Sequence, residues 1–271
     1  VPDHLTKMMN NKEVDWMSQS IQFKEAEMNI YYLNHHMCHA ANGFYQSPFK
    51  KSAILTADGR GETDTVTFNI AEENKIRCIK RISIPQSMGA FYSAFTEYLG
   101  FQPDSDEWKV MALSSYGKKN NKYYKKLKEL IQLKDDGSYE IDLTYFKDMV
   151  HETPGLYTDK LIDLLGNDRG CSDKFDERHY EIATAMQQVT EETFSHMLNW
   201  LQRETGLENI VVSGGLFMNS VFNGKIISTT NFKKVYISPS PDDSGLSIGA
   251  AMYLHNQILG NNIKSFRILV F

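Results

Sequence analysis

The chain of 271 residues is long enough for one large α/β unit or for two lobes of ordinary domain size. Its 41% hydrophobic and 23% charged residues indicate a globular protein and exclude a disordered one. A net charge of −5, the lack of any apolar run of membrane-spanning length and three widely separated cysteines predict a cytoplasmic protein that binds neither nucleic acid nor membrane.

The N-terminal part of the chain predicts strands followed by helices. Residues 1–28 show no clear strand pattern, whereas "MNIYYLNHH" predicts a short strand that leads into a helix ending near Tyr45. "SAILTADGRGETDTVTFNI" predicts two strands joined by a glycine turn, and "KIRCIKRISI" adds a third strand to make a meander. After Pro85, "SMGAFYSAFTEYLGF" has apolar residues at helical spacing and ends at Gly100.

The C-terminal part predicts alternating strands and helices. Residues 118–173 are polar and lysine-rich, with helical pieces and no recognisable motif, and a long amphipathic helix is predicted over 176–205. "ENIVVSGGLFMNSVFNGKI" then predicts strand, glycine turn and helix, and "KKVYISPSPDDSGLSIGAAMYLHNQI" predicts strand, acidic loop and helix. The whole pattern predicts an α/β sheet with helices packed on its faces.

The loop after the first predicted strand of the meander has the sequence "DGRGET", with Asp58 at the strand end followed by Gly59 and Gly61. Amides of residues without side chains can approach a phosphate closely, and an aspartate at a strand end can hold a metal or a metal-bound water. The alternative is an ordinary Asp-Gly hairpin turn, which is the commonest short hairpin.

Two later loops have similar potential. Gly214 and Gly215 lie between a strand and a helix start, where backbone N–H groups and the helix dipole suit a nucleotide phosphate or ribose, or simply make a tight turn. Asp242 and Asp243 precede the last predicted helix, and they either cap it or supply a metal with a carboxylate.

Three histidines open the first predicted helix. His35 and His39 are four residues apart, so on a helix they face one way and can share one ion, whereas His36 points elsewhere into the core or onto the surface. Two histidines with one or two aspartates suit Fe(II) or Mn(II) better than structural zinc. Such a histidine pair is also common in structural roles, and Cys38 is interpreted as a small buried residue.

Five motifs in a fixed order resemble the NodU/CmcH-type O-carbamoyltransferase family. They are His-His-x-x-His-Ala at 35–40, Asp-Gly-x-Gly-Glu at 58–62, Pro-x-Ser-x-Gly at 85–89, "DEWKVMALSSYG" at 106–117 and Gly-Gly-x-x-x-Asn at 214–219. The helix "EIATAMQQVTEETFSHMLNWLQRETG" also resembles the family, and the resemblance covers residues 28–259.

This resemblance implies an actin-like ATPase fold, which is ribonuclease H-like, with a truncated first lobe and a largely complete second lobe. Residues 1–50 would be the remnant of the first lobe with the histidine motif, and residues 51–260 the second lobe with the nucleotide-binding loops. Residues 261–271 would begin a linker to a C-terminal domain outside the chain. Both ends of the sequence predict a fragment of a longer protein.

The resemblance also assigns roles to residues. In the family, two histidines and two aspartates hold iron or a similar divalent ion beside the nucleotide; here these are His35, His39, Asp58 and Asp243. Asp243 is preferred to Asp242 because it directly precedes Ser244-Gly245. The nucleotide-binding residues implied are Gly59, Gly61, Glu62, Gly214, Gly215 and Asn219. Glu107 and Lys109 are expected either as polar contacts in the cleft or as a salt-bridged helix start.

The activity implied is O-carbamoyl transfer. Family members use ATP (with Mg) and carbamoyl phosphate to make a carbamoyl-adenylate, and then transfer the carbamoyl group to a hydroxyl of a sugar or natural product. The cofactor implied is Fe(II) or another divalent metal. The partners implied are the nucleotide and a small-molecule hydroxyl acceptor, and a homodimer is left open.

Two departures from the family qualify this interpretation. No segment here matches the family's leading strand with its first phosphate hairpin, and the chain stops near the junction to the C-terminal domain, so this piece alone is expected to have an incomplete active site. The alternatives are a tRNA threonylcarbamoyl transferase-like protein, which shares the His-x-x-x-His pair, and a non-catalytic metal- or nucleotide-binding fragment. The acidic balance of the chain offers no evident tRNA surface.

Overall fold

The computed structural model of the protein describes residues 14–24, 26–147 and 155–261. The strands in these residues are β1 (Trp16–Phe23), β2 (Ala26–Leu33), β3 (Lys51–Ala57), β4 (Asp64–Glu72), β5 (Lys75–Ser83), β6 (Ile131–Leu133), β7 (Tyr139–Ile141), β8 (Asn209–Ser213) and β9 (Lys234–Ile237).

The central sheet has five strands in the order β5-β4-β3-β8-β9. Strands β3, β4 and β5 pair antiparallel, which confirms the predicted meander. Strands β8 and β9 extend the sheet in parallel from β3, as a βαβ pattern requires. The sheet is therefore mixed, and the predicted α/β class is confirmed.

The helices pack on both faces of this sheet. They are α1 (His35–Gln46), α2 (Met88–Tyr98), α3 (Glu107–Leu113), α4 (Lys122–Lys128), α5 (Asp159–Leu165), α6 (Glu177–Thr205), α7 (Ser220–Asn223), α8 (Ile226–Thr229) and α9 (Leu246–Tyr253). The long helix predicted over 176–205 is thus confirmed; it begins with a capping box at Asp176 and ends at Gly206 in the left-handed conformation.

Alternation along the central strands separates two apolar cores. Leu55 of β3 and Val212 of β8 point into the larger core, which contains the buried stripe of α6 and most of α2. Ile54 and Val211, one position away on each strand, point into a smaller core with α1 and Tyr253 of α9. The histidine helix therefore lies on the opposite face of the sheet from the long helix.

Two hairpins were not predicted. Strand β1 contradicts the absence of a strand in residues 1–28; it pairs with β2 in a separate two-stranded sheet whose residues are mostly exposed, so no buried face imposes an alternating pattern. Strands β6 and β7 have three residues each, which is too short for a periodic signal. The predicted start of a linker at 261–271 lies almost wholly outside the described residues.

The region after β8 also differs from prediction. Instead of one helix following the glycine turn, a 3₁₀ turn (Gly215–Met218) precedes the two four-residue helices α7 and α8. Asn223 and Gly224 interrupt the segment, since both are weak helix formers. None of the helices in the described part of the chain combines the length and apolar character that a bilayer crossing demands.

Candidate metal and nucleotide site

Four side chains predicted as metal ligands converge at one edge of the central sheet. His35 and His39 lie on successive turns of α1, Asp58 directly follows β3, and Asp243 begins a 3₁₀ turn (Asp243–Gly245) after β9. One ligand atom from each residue lies within 4.8 Å of all the others. Asp58 and Asp243 are far apart in sequence, but they follow strands β3 and β9, which both pair parallel with β8. The carboxyl ends of these strands therefore lie at the same edge of the sheet, where α1 also begins.

The distances within the group are short. His39 Nε2 is 2.8 Å and His35 Nε2 is 3.3 Å from Asp58 Oδ2. Asp243 Oδ1 is 3.3 Å from His39 Nε2 and 3.4 Å from His35 Nε2, and the two Nε2 atoms are 3.1 Å apart. Two imidazole nitrogens and two carboxylate oxygens facing one point form a donor set that fits a divalent transition metal.

The protonation of the group indicates the same preference for a cation. Burial opposes protonation of His39, but hydrogen bonds to Asp243 and Asp58 outweigh burial and raise its pKa. Burial would raise the pKa of Asp58, but hydrogen bonds from His35 and His39 hold it well below its usual range. The two carboxylates therefore favour positive charge on the His39 ring, as they would favour a cation bound among the four side chains.

The third histidine of the motif has different surroundings. His36 is fully buried, which confirms the core alternative, and its ring contacts Thr56 Oγ1 and the carbonyl oxygen of Asp64 instead of the ligand group. Cys38 is buried as predicted.

Burial of His36 makes a prediction about stability in acid. Burial, reinforced by the nearby rings of His35 and His39, lowers the pKa of His36 from 6.5 to about 3. Below pH 6.5 the unfolded chain binds a proton that the folded chain excludes until about pH 3, so the free energy of unfolding should fall as the pH falls through this window. The expected slope is up to about 1.4 kcal/mol per pH unit.

Urea unfolding of the metal-free chain across this pH window checks the slope. In His36→Gln the side chain at this position cannot titrate, so unfolding should take up about one proton fewer and the slope should be smaller by up to about 1.4 kcal/mol per pH unit. A variant whose stability falls as steeply as that of the wild type would contradict the assignment of this proton to His36.

A cavity of about 610 Å³ adjoins the ligand group, and its size suits a small-molecule ligand. Of the predicted site residues, those that line it are Asp58, Gly59, Glu107, Gly215, Asn219 and Asp243. Gly214 lies behind this lining, where its N–H donates to the carbonyl oxygen of Pro241. The Asp58 loop and the Gly215 loop lie side by side at the wall of this cavity, because a β carbon on Gly215 would lie only 2.9 Å from Asp58 Oδ1.

Besides Gly214 and the two histidines of the ligand group, three more of the predicted site residues do not line this cavity. Glu62 accepts hydrogen bonds from Asn34 Nδ2 at 3.0 Å and from the N–H of His35, so it caps the histidine helix. Gly61 packs against His35 and His36, since a β carbon on it would lie 3.0 Å from an atom of each side chain. Lys109 forms an ion pair of 2.8 Å with Asp106 and faces a different depression, which matches the salt-bridged helix start considered above.

The Pro-x-Ser-x-Gly motif holds the Asp58 loop in place. Ser87 Oγ donates to the carbonyl oxygen of Gly59 at 2.6 Å and also accepts from the N–H of Ala90 at the start of α2. A β carbon at Gly89 would lie 2.5 Å from Gly59 Cα, so only glycine permits this approach. The sequence singled out this motif only through the family resemblance, and the structure supplies its physical reason.

An amide network that the sequence did not indicate supports Asn219. Gln187 of α6 and Asn219 exchange two hydrogen bonds of 3.0 and 2.9 Å, and Tyr92 donates to Gln187 Oε1 at 3.0 Å. Gln187 is buried on the face of α6 that packs into the larger core, where most of the buried residues of the helix are apolar. A lone glutamine in a helix forms no motif, which is why the sequence did not indicate it.

The mixed α/β sheet thus brings two glycine loops and a His/Asp group that could hold a metal ion to one cavity. The family model described as "Carbamoyltransferase N-terminus" matches residues 5–252, and the chain belongs to this family.

Individual relatives agree with that assignment. The uncharacterized protein sll1178 of Synechocystis is 37% identical over 229 residues, which make up 84% of this chain and 37% of that protein. Nodulation protein NolNO of Sinorhizobium fredii is 27% identical over 229 residues, or 84% of this chain and 32% of that one. The chain thus spans well under half the length of these relatives.

Similarity to solved structures is weaker. HypF of T. kodakarensis aligns with a TM-score of 0.45 at 12% identity, covering 81% of this chain and 35% of that one. A similarity of this size does not define the fold of the chain.

Proposed function

We propose that the protein to which this chain belongs is an O-carbamoyltransferase. It would use ATP and carbamoyl phosphate to form a carbamoyl-adenylate and transfer the carbamoyl group to a hydroxyl of a sugar or natural product. The observation that carries the proposal is the meeting of the His/Asp group with two glycine loops at one cavity, in a chain of the carbamoyltransferase family.

The proposal extends to architecture. Residues 51–260 would form the second lobe of an actin-like ATPase fold, and residues 1–50 would belong to the first lobe. The central sheet with its parallel extension lies within the former range, and the β1–β2 hairpin within the latter. The segments needed to complete the active site would lie in the part of the relatives that this chain does not span.

The charge of the cavity supports binding of phosphate together with a cation. Among the described residues that line it, carboxylates outnumber cations: Asp58, Asp104, Glu107, Asp242 and Asp243 face Arg60. A phosphate group placed among these carboxylates would be repelled unless a cation offset the charge. The His/Asp group stands beside the cavity and would hold that cation.

The chain's own residues have distinct tasks in this scheme. His35, His39, Asp58 and Asp243 would hold a divalent metal, which when bound polarises a carbamoyl oxygen and offsets phosphate charge. Gly59 and Gly215 would present backbone to the phosphate at the cavity wall, and Asn219 would orient the nucleotide. The acceptor oxygen forms a bond to the carbamoyl carbon as the bond to the phosphate oxygen breaks, and AMP leaves with the acceptor's proton.

The full-length protein tests this activity. It should release pyrophosphate from ATP only when carbamoyl phosphate is present, and a hydroxyl acceptor should gain the mass of one carbamoyl group. Asp58→Asn, which removes a carboxylate shared by metal and loop, should lose transfer. Release of pyrophosphate that does not depend on carbamoyl phosphate would contradict the proposal.

The amide network predicts a measurable role for Gln187 in nucleotide binding. Gln187→Leu removes both hydrogen bonds to Asn219 and leaves that side chain free to turn away. A loss of about 1 to 1.5 kcal/mol, or roughly tenfold in affinity, is expected. Calorimetric titration with a non-hydrolysable ATP analogue measures it.

The neighbouring glutamine offers a matched control. Gln188 bonds to Asn120 on the other side of α6 and does not line the cavity, so Gln188→Leu should leave nucleotide affinity unchanged. Equal losses in the two variants would show that the effect comes from the helix and not from Asn219.

A further inference from the structure

His36 is the residue of the histidine motif that the proposed function leaves without a role. It lies on α1 between the two proposed ligands and is fully buried. Its Nδ1 is 2.7 Å from Thr56 Oγ1 on β3, and its Nε2 is 2.9 Å from the carbonyl oxygen of Asp64. Both ring nitrogens are thus engaged, and neither faces the metal position.

These partners fix the tautomer of His36. A carbonyl oxygen only accepts hydrogen bonds, so Nε2 must carry a proton and donate it to Asp64. In the neutral ring Nδ1 is then the acceptor, and Thr56 must donate its hydroxyl proton to it.

The direction of the next bonds follows from the first. Thr56 Oγ1 lies 2.6 Å from Thr67 Oγ1, and because the Thr56 proton is already used, Thr67 must be the donor. Asn69 Nδ2 in turn donates to Thr67 Oγ1 at 2.9 Å. A one-way chain of buried hydrogen bonds therefore runs from Asn69 on β4 through β3 to His36 and on to Asp64.

The Asp64 end of this series of hydrogen bonds holds the loop that carries Asp58. The carbonyl oxygen of Asp64 accepts from His36 and also from the N–H of Gly61 at 2.7 Å, which closes the loop upon itself. The Asp64 carboxylate accepts from Arg81 and Ser83, so this end of the loop is fixed on β5 as well. His36 is thereby a direct link between the loop with Asp58 and the helix with His35 and His39.

We propose that His36, as the Nε2–H tautomer in this hydrogen-bond chain, is a positioning residue that sets the distance between the histidine pair and Asp58. The inference rests on the proposed metal site and adds to it a residue that does not touch the metal. Changing a group that hydrogen-bonds a metal ligand typically weakens metal affinity by about 10- to 100-fold. His36 acts one step further out, through the loop and the helix that carry the ligands, so the lower end of this range is expected.

The first test does not involve metal. Side-chain ¹⁵N NMR of the metal-free chain, with the His36 signals identified by their loss in His36→Gln, reports which ring nitrogen carries the proton. Protonated Nε2 and unprotonated Nδ1 are expected. A proton on Nδ1 with none on Nε2 would overturn the inference without affecting the proposed function.

The second test is titration with Co(II), read by its ligand-field absorption. His36→Leu should bind one Co(II) with an unchanged spectrum but about tenfold or more weakened affinity. His36→Gln, whose amide can still donate to Asp64, should recover most of the affinity. Thr56→Val, which breaks the chain without changing the imidazole, should also weaken binding and serves if His36→Leu does not fold.

Thr193→Val is the matched control, because Thr193 is equally buried and donates to the carbonyl oxygen of Val189 within α6, away from the ligand group. Its Co(II) affinity should equal that of the wild type. If all three variants, His36→Leu, His36→Gln and Thr56→Val, bind Co(II) as tightly as the wild type, the positioning role of His36 is wrong while the proposed metal site stands. An altered spectrum in folded His36→Gln would make His36 a ligand and also overturn it, whereas a wild-type chain that binds no Co(II) would overturn the metal site itself.

Discussion

Replacing His39 by alanine is expected to abolish the metal binding that we propose for this chain. His39 is fully buried and its Nε2 lies at the centre of the group, within 3.3 Å of a ligand atom of each of the other three residues. Its loss leaves one imidazole and two carboxylates, a weaker donor set with an apolar void in place of a ligand. Iron content of chain purified without oxygen should fall from near one ion per chain to background.

His196→Ala is the control for this change. His196 is a half-buried helical histidine whose Nε2 donates to the carbonyl oxygen of Lys134, on the opposite side of the sheet from α1. It should retain the wild-type iron content. Stoichiometric iron in folded His39→Ala would show that the ion is bound elsewhere.

Replacing Gly249 by alanine is expected to destabilise the fold strongly. Helices α9 and α1 approach so closely here that a β carbon on Gly249 would overlap the carbonyl oxygen of Cys38, which is backbone and cannot turn aside. Overpacking a core typically costs about 1 to 3 kcal/mol, and a clash with backbone lies at or above the upper end. The added methyl group would force α9 and α1 apart. Since α9 follows Asp243 and α1 carries the histidines, this movement should also disturb the ligand group.

Urea unfolding of the metal-free chain measures this loss. The matched control is Gly224→Ala, since a β carbon there would meet its nearest neighbour, the carbonyl oxygen of Ser220, at an ordinary 3.6 Å. Gly224→Ala should change stability by well under 1 kcal/mol. Similar midpoints for Gly249→Ala and the wild type would contradict the close packing of α9 on α1.

Much of the fold was predictable because its central elements carry strong periodic signals. The β3–β4–β5 meander has alternating or wholly apolar strands with clear turns, and α6 has a continuous apolar stripe with a cap at each end. Strand β1 and the β6–β7 hairpin were missed because exposure or short length removes that periodicity. These strands form because they pair with a neighbouring strand, and a local sequence pattern does not encode that pairing.

The candidate site was predictable mainly through the order of its motifs. Local chemistry alone left His35 and His39 open to a structural role and could not separate Asp242 from Asp243. The structure places Asp243 next to the histidines, whereas Asp242 Oδ1 accepts from Ser244 Oγ. The family resemblance assigned Glu62 to the nucleotide, and its contacts with the start of α1 could not be predicted because they join residues 27 and 28 positions apart in sequence.

The most direct test of the central claim is anomalous X-ray diffraction at the iron edge, from crystals grown without oxygen in the presence of Fe(II) and ATP. The account predicts one iron peak within bonding distance of His35, His39, Asp58 and Asp243, with nucleotide density in the adjoining cavity. An iron peak away from these four residues, or nucleotide bound with no metal beside it, would contradict the account.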